Sequence, residues 1–182
     1  MNKESIYSLV AGCVAATMVL PAYGVDGVSA ALGSGDDTDM ARAGAQWDWQ
    51  KTWFDQGDWR LGGYWDASVA RWHAHSAAGD NQSLVEAGIT PVFRLQRNVA
   101  TGPVPYFEGA IGFHVLSRTH IDAKKHFSTH FQFGDHLGVG ARFGPKRQYD
   151  IAYLFQHLSN GGIKNPNNGI NFNEVRFSYH FF

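Results

Sequence analysis

Apolar and polar residues alternate with a period of two along most of this chain, and a helical period is poorly represented. Clusters of Gly, Asp, Asn and Pro interrupt the alternation. They divide it into eight segments that predict strands at 26–34, 40–54, 58–73, 83–97, 104–117, 133–144, 148–159 and 170–182. The last segment shows the pattern most plainly. Val175, Phe177, Tyr179 and Phe181 share one face, and Glu174, Arg176, Ser178 and His180 share the other. In a soluble barrel that binds a ligand inside, the apolar face turns inward. Here the charged face is the one that would have to be enclosed, with Glu174 and Arg176 among paired charges. The apolar face would then meet lipid.

Several segments reach the roughly 9–11 tilted residues needed to cross a bilayer. An even number of antiparallel strands brings both ends of the chain to one side. The connections then sort into two sets. "DQG", "NVATGP" and "PKR" belong to the periplasmic rim. "SGDDT", "AHSAAGDNQ", "RTHIDAKKHFSTHFQ" and "GGIKNPNNG" belong to the outer rim and are mostly longer and more polar. The reading is an all-β protein, an eight-stranded antiparallel transmembrane barrel whose lumen holds side chains and no channel.

Composition agrees with this reading. Aromatics make up 14% of the 182 residues, there are 21 glycines, and mean hydropathy is only -0.27. No segment after the first two dozen residues approaches the length of apolar run a membrane helix needs. A formal net charge of -1 supplies no basic field for nucleic acid. Trp47, Trp49, Trp53, Trp59, Trp65 and Trp72 are expected in interfacial girdles and lipid-facing packing.

The first residues, "MNKESIYSLVAGCVAATMVLPAYG", read as an export signal. Lys3 provides the positive start, an apolar stretch follows, and Ala22-Tyr23-Gly24 has small residues where a signal peptidase cuts. This predicts a signal peptide at 1–24 and a single domain at 25–182. Val10-Ala11-Gly12-Cys13 offers a lipoprotein box as the rival, although its apolar lead is short and the hydrophobic run continues through Leu20. Cleavage after Gly24 removes the sole cysteine, so an oxidising compartment would find no thiol to act on.

Candidate chemistry lies in "YDIAYLFQHLSNGGIKNPNNGINFNEVRF". By parity, His157 and Ser159 share a face with Tyr149, Ile151, Tyr153 and Phe155. They therefore sit on the outer wall, near the outward end of their strand. An imidazole two residues from a hydroxyl on one face of a strand can take its proton. Backbone N–H groups at Gly161 and Gly162, with the Asn160 amide, could receive an oxyanion. Taken alone, His-x-Ser also suits two polar residues at a membrane–water boundary. His114, His120, His126, His130 and His136 crowd the region of the longest outer loop, but their spacing matches no compact metal-ligand motif. Lys124 and Lys125 could meet lipid phosphates, or simply be solvated.

"HLSNGGIKNPNNGI" resembles the signature of the outer-membrane lipid A 3-O-deacylases, the PagL-like family. "WDWQKTWF", "RLGGYWDASVARW", "FEGAIGFHVLS" and "FQFGDHLGVG" are similar to the family as well. The resemblance implies an eight-stranded barrel with its active site on the membrane-facing wall, hydrolysing the 3-position ester of lipid A and releasing a 3-hydroxy fatty acid. It implies Ser159 as nucleophile, His157 as general base, and an oxyanion hole at Asn160, Gly161 and Gly162. It implies no metal or cofactor. The partner is lipopolysaccharide in the outer leaflet, and the oligomeric state stays open, a homodimer included.

One position departs from the family pattern: the third member, an acid in the family, is Asn171 here. Asparagine orients a histidine but carries no charge to stabilise imidazolium. Asn171 could orient His157 with a slower reaction. Another acid could substitute, Asp135 being the candidate by parity, or a turn residue at the strand's start. A barrel without activity and a phospholipid esterase are the remaining alternatives.

Overall fold

The computed structural model describes residues 24–55 and 57–181, so the expected signal peptide lies outside the described residues apart from Gly24. Eight strands follow in order: β1 (Gly27–Gly35), β2 (Thr38–Asp48), β3 (Trp59–Ala74), β4 (Ser83–Arg97), β5 (Val104–Leu116), β6 (Phe131–Phe143), β7 (Tyr149–Ser159) and β8 (Ile170–His180). Each pairs antiparallel with the next, and β8 closes on β1, forming a closed barrel. Closure leaves no unpaired sheet edge, which a β-protein in lipid cannot tolerate. Gly27 is level with both His180 and Gln46, so β1 begins and β8 ends at the same rim.

The alternation read from sequence is the alternation of the wall. Along β7, Tyr149, Ile151, Tyr153 and Phe155 are exposed, whereas Asp150, Ala152, Leu154 and Gln156 are buried. Along β8, Val175, Phe177 and Tyr179 are exposed, whereas Glu174, Arg176, Ser178 and His180 are buried. Inside, Glu174 and Arg176 are indeed paired, but with different partners. Glu174 meets Arg42 at 3.2 Å and Arg176 meets Glu108 at 2.9 Å. Arg94 spans from Glu108 (2.9 Å) to Asp150 (2.8 Å), and its guanidinium lies over the Tyr106 ring at 3.9 Å. Buried charges persist only with such compensation.

Toward the rim away from the termini the lumen turns apolar. Met40, Trp72, Leu84, Leu116, Leu158 and Phe172 form a plug, completed by Ile121 and Phe127 from the β5–β6 loop. Trp72 is therefore not on the lipid-facing wall as expected. Its ring packs against Phe127 and Phe172, and its indole N–H donates to Glu86 at 3.0 Å. Trp49 and Trp65 do pack on the outer wall, where Trp49 meets Trp53, Trp65 and Phe93 edge-on.

Two boundaries differ from expectation for local reasons. "SGDDT" forms almost no loop. Asp36 and Asp37 both have positive φ (51° and 56°), the geometry of a two-residue hairpin turn between Gly35 and Thr38. At the opposite rim, β2 ends at Asp48, not 54. Trp49 still hydrogen-bonds Gly63, and Trp53 forms an isolated bridge to Leu61, but Phe54 has φ 60° and breaks the ladder.

Candidate active site

Three strands, β6, β7 and β8, bring the candidate residues into one row on the outer wall. His157 of β7 is level with Asp135 of β6 on one side and Asn171 of β8 on the other. Ser159, two residues on, is level with Phe133. His157, Ser159 and Asn171 are half-buried and Asp135 is exposed. All four share the face that carries Leu137, Phe155 and Val175. Phe133 belongs to an aromatic cluster with Phe113 (6.0 Å) and Phe131 (5.0 Å), so apolar surface adjoins the serine.

The His157 ring is held from two directions. Its Nδ1–H donates to Asn171 Oδ1 at 2.8 Å. That bond fixes the proton on Nδ1 and leaves Nε2 as the basic nitrogen. Gly169 passes directly beneath the ring with φ 61°, and a Cβ there would lie 2.8 Å from His157 Cε1. The signature glycine thus satisfies two demands, a left-handed backbone and room for the imidazole. Among the described residues, the Ser159 hydroxyl has no hydrogen-bond partner and Asp135 makes no hydrogen bond to His157. Of the two candidates for a third member, Asn171 is the one in contact.

Asn160 is fully buried, and its amide is committed at both ends. Nδ2 donates to Lys164 O (2.7 Å), Phe127 O (3.1 Å) and Ser128 Oγ (3.2 Å), while Oδ1 accepts from Gly162 N–H at 2.9 Å. Its own N–H donates to Asn167 Oδ1 at 2.9 Å. The Asn160 side chain, expected to face an oxyanion, instead stitches the β7–β8 loop to the β5–β6 loop. The Gly162 N–H is engaged in the same knot. The Gly161 N–H, at φ 63°, meets no acceptor among the described residues.

Asn171 itself is anchored by a residue that no sequence motif singles out. Asp36 Oδ2, in the β1–β2 turn, accepts from Asn171 N–H (2.9 Å), Asn171 Nδ2 (3.4 Å) and Lys125 Nζ (2.9 Å). In sequence, Asp36-Asp37 reads as turn chemistry, and nothing connects it to a motif well over a hundred residues away. Of the clustered histidines, His114 and His136 face Glu86 and Glu108 in the lumen, His130 donates to Leu116 O at 2.6 Å, and His120 stacks on His126. None of these joins the row on the outer wall.

Residues 39–180 match the sequence model of the family described as Lipid A 3-O-deacylase (PagL). The lipid A deacylase PagL of Pseudomonas aeruginosa is 32% identical over 144 residues, covering 79% of each chain. The lipid A deacylase PagL of Bordetella bronchiseptica is 35% identical over 118 residues, covering 65% of this chain and 58% of that one. A crystal structure of the outer membrane enzyme PagL superposes with a TM-score of 0.74 at 27% identity, covering 85% of this chain and 99% of that one. A match of this extent, on a barrel of the same architecture, decides the assignment: the chain belongs to the lipid A 3-O-deacylase (PagL) family.

Proposed function

We propose that this protein is an outer-membrane esterase that hydrolyses the 3-position acyl ester of lipid A, with Ser159 as nucleophile, His157 as general base and Asn171 as its orienting partner. The observation that carries this reading is the Nδ1–H···Oδ1 bond from His157 to Asn171, on the wall that faces lipid. It supports an imidazole whose Nε2 can take a proton from a neighbouring hydroxyl.

In the proposed reaction, lipid A approaches laterally within the outer leaflet. The Ser159 oxygen attacks the ester carbonyl as its proton passes to His157 Nε2. The carbonyl oxygen becomes an oxyanion, received by the Gly161 N–H, the backbone donor beside Ser159 that the loop leaves free. The C–O bond to the sugar breaks, and His157 returns the proton to the departing 3-hydroxyl. Water then gives a proton to His157 and hydroxide to the acyl-serine, and the fatty acid is released as Ser159 is reprotonated. Apolar surface at Phe113, Phe131 and Phe133 offers the acyl chain a place to lie. No step calls for a metal or cofactor.

Purified barrel in mixed micelles, offered lipopolysaccharide and phospholipid in parallel, tests this reading. Release of 3-hydroxy fatty acid from lipopolysaccharide alone, abolished in Ser159→Ala, is expected. Release from phospholipid in preference would make the protein a phospholipid esterase. Release from neither by a folded barrel would favour a non-catalytic relative.

A further inference from the structure

We propose that Asp36 is a positioning residue for the reaction, supplying through the Asn171 amide the negative charge that position 171 itself lacks. The inference rests on the reading of His157, Ser159 and Asn171 given above. It adds a fourth member, contributed by the hairpin turn at the far side of the β8–β1 seam.

The contacts form an unbroken chain. His157 Nδ1–H donates to Asn171 Oδ1 at 2.8 Å, Asn171 Nδ2–H donates to Asp36 Oδ2 at 3.4 Å, and Lys125 Nζ donates to the same oxygen at 2.9 Å. An asparagine amide can orient either way round, and only one way serves a base. With Oδ1 toward the ring, His157 keeps its proton on Nδ1 and a free Nε2. With Nδ2 toward the ring, Nδ1 would have to accept, and the proton would move to Nε2 and block the base. The flipped amide would also set Oδ1 against a carboxylate oxygen. Asp36 therefore selects the productive orientation. As His157 becomes imidazolium, the carboxylate also polarises the amide that faces it.

Several features hold Asp36 in place. The turn puts it at φ 51°, a conformation Asp tolerates. The Asn171 N–H clamps it to the start of β8 at 2.9 Å. A Cβ on Gly35 would collide with the Asn171 backbone, so the turn can approach this closely only with glycine there. Lys125 is aimed at it by Asp122, whose Oδ1 accepts from the N–H groups of Lys124 (2.7 Å) and Lys125 (2.9 Å). Partial burial pushes the Asp36 carboxyl up. The Lys125 ammonium and the Asn171 N–H outweigh it and hold the pKa below the ordinary carboxylate value, so the relay is charged at neutral pH.

The arrangement also explains why an acid at 171 is dispensable here. A carboxylate in place of the amide would bring like charges together at the 3.4 Å contact. A charge swap tests this. Asp36→Asn should lower kcat by roughly tenfold or more with little change in KM, the rate equivalent of losing a hydrogen bond to a charged group. Asn171→Asp alone should gain little, because Asp36 opposes it. The double variant Asp36→Asn/Asn171→Asp should recover at least the wild-type kcat, since the charge then touches His157 directly. A purely structural role for Asp36 predicts that the loss persists in the double variant, and that result would overturn the relay. Wild-type kcat in Asp36→Asn, with Ser159→Ala inactive, would overturn it while leaving the catalytic pair intact. Activity surviving in Ser159→Ala would overturn the reading of the site and the relay together. Thermal shifts of gel mobility confirm that each variant is a closed barrel.

Discussion

At the residue scale, the site is a set of small fits around one imidazole. Gly169 is the clearest case, because its left-handed φ of 61° and the ring above it both exclude a side chain. Gly169→Ala should leave the barrel folded yet lower kcat at least about tenfold, since an ångström of displacement in a catalytic group is that costly. Lipid A turnover by the purified variant checks this, and wild-type turnover would contradict the packing argument. The outward placement of His157 and Ser159 was legible from parity, because alternation along "YDIAYLFQHLS" assigns them to the aromatic face. Asp36 was not legible. Its role depends on β8 closing against β1, a contact between the two ends of the sequence that no local pattern encodes. Asp135 had the right parity and register, but the bond to His157 is made by Asn171.

At the element scale, the β7–β8 connection is a built loop and not a tether. Asn160 ties it to Phe127 O and Ser128 Oγ, and Asn168 Nδ2 ties it to Lys124 O at 2.9 Å. Asn160→Ala would leave several buried polar groups unmatched, each at about 1–3 kcal/mol. Its expected effect is local: faster proteolysis at 160–169 and loss of most activity, with the barrel's thermal transition nearly unchanged. Limited proteolysis with mass mapping measures this, and an unchanged cleavage pattern would count against it. Apart from the end of β2, strand positions were read from sequence to within a few residues, because the inside and outside of this wall differ sharply in polarity. The long connections were not, since loops have no period. That the "RTHIDAKKHFSTHFQ" segment would send Phe127 into the mouth of the barrel follows from tertiary burial alone.

At the scale of the whole molecule, the barrel reverses the polarity of a soluble protein. Charge fills the middle, an apolar plug closes one end, and apolar side chains cover the outside. Glu108 lies at the centre of the charged network, meeting Arg94, Arg176 and His136. Glu108→Ala should destabilise the barrel by about 3–5 kcal/mol, because two buried guanidinium groups lose a partner. Urea unfolding in lipid vesicles would measure the loss, and a change under about 1 kcal/mol would show that water or neighbouring groups compensate. The outer wall makes the complementary prediction. Leu137, 72% exposed, should accept Phe or Ile freely, whereas Leu137→Arg should cost up to about 2–4 kcal/mol, depending on its depth in the bilayer. This inversion also fits the proposed placement of the chemistry. A lumen filled by side chains admits no acyl chain, so a lipid ester can be reached only from the wall.

The proposed removal of one acyl chain from lipid A by Ser159 on that wall is checked by mass spectrometry of lipid A from cells producing the protein or its Ser159→Ala variant in equal, folded amounts. Lipid A lighter by one 3-hydroxyacyl group is expected with the wild type, and the full acyl count with Ser159→Ala. Identical deacylation by both, or by neither, would contradict it.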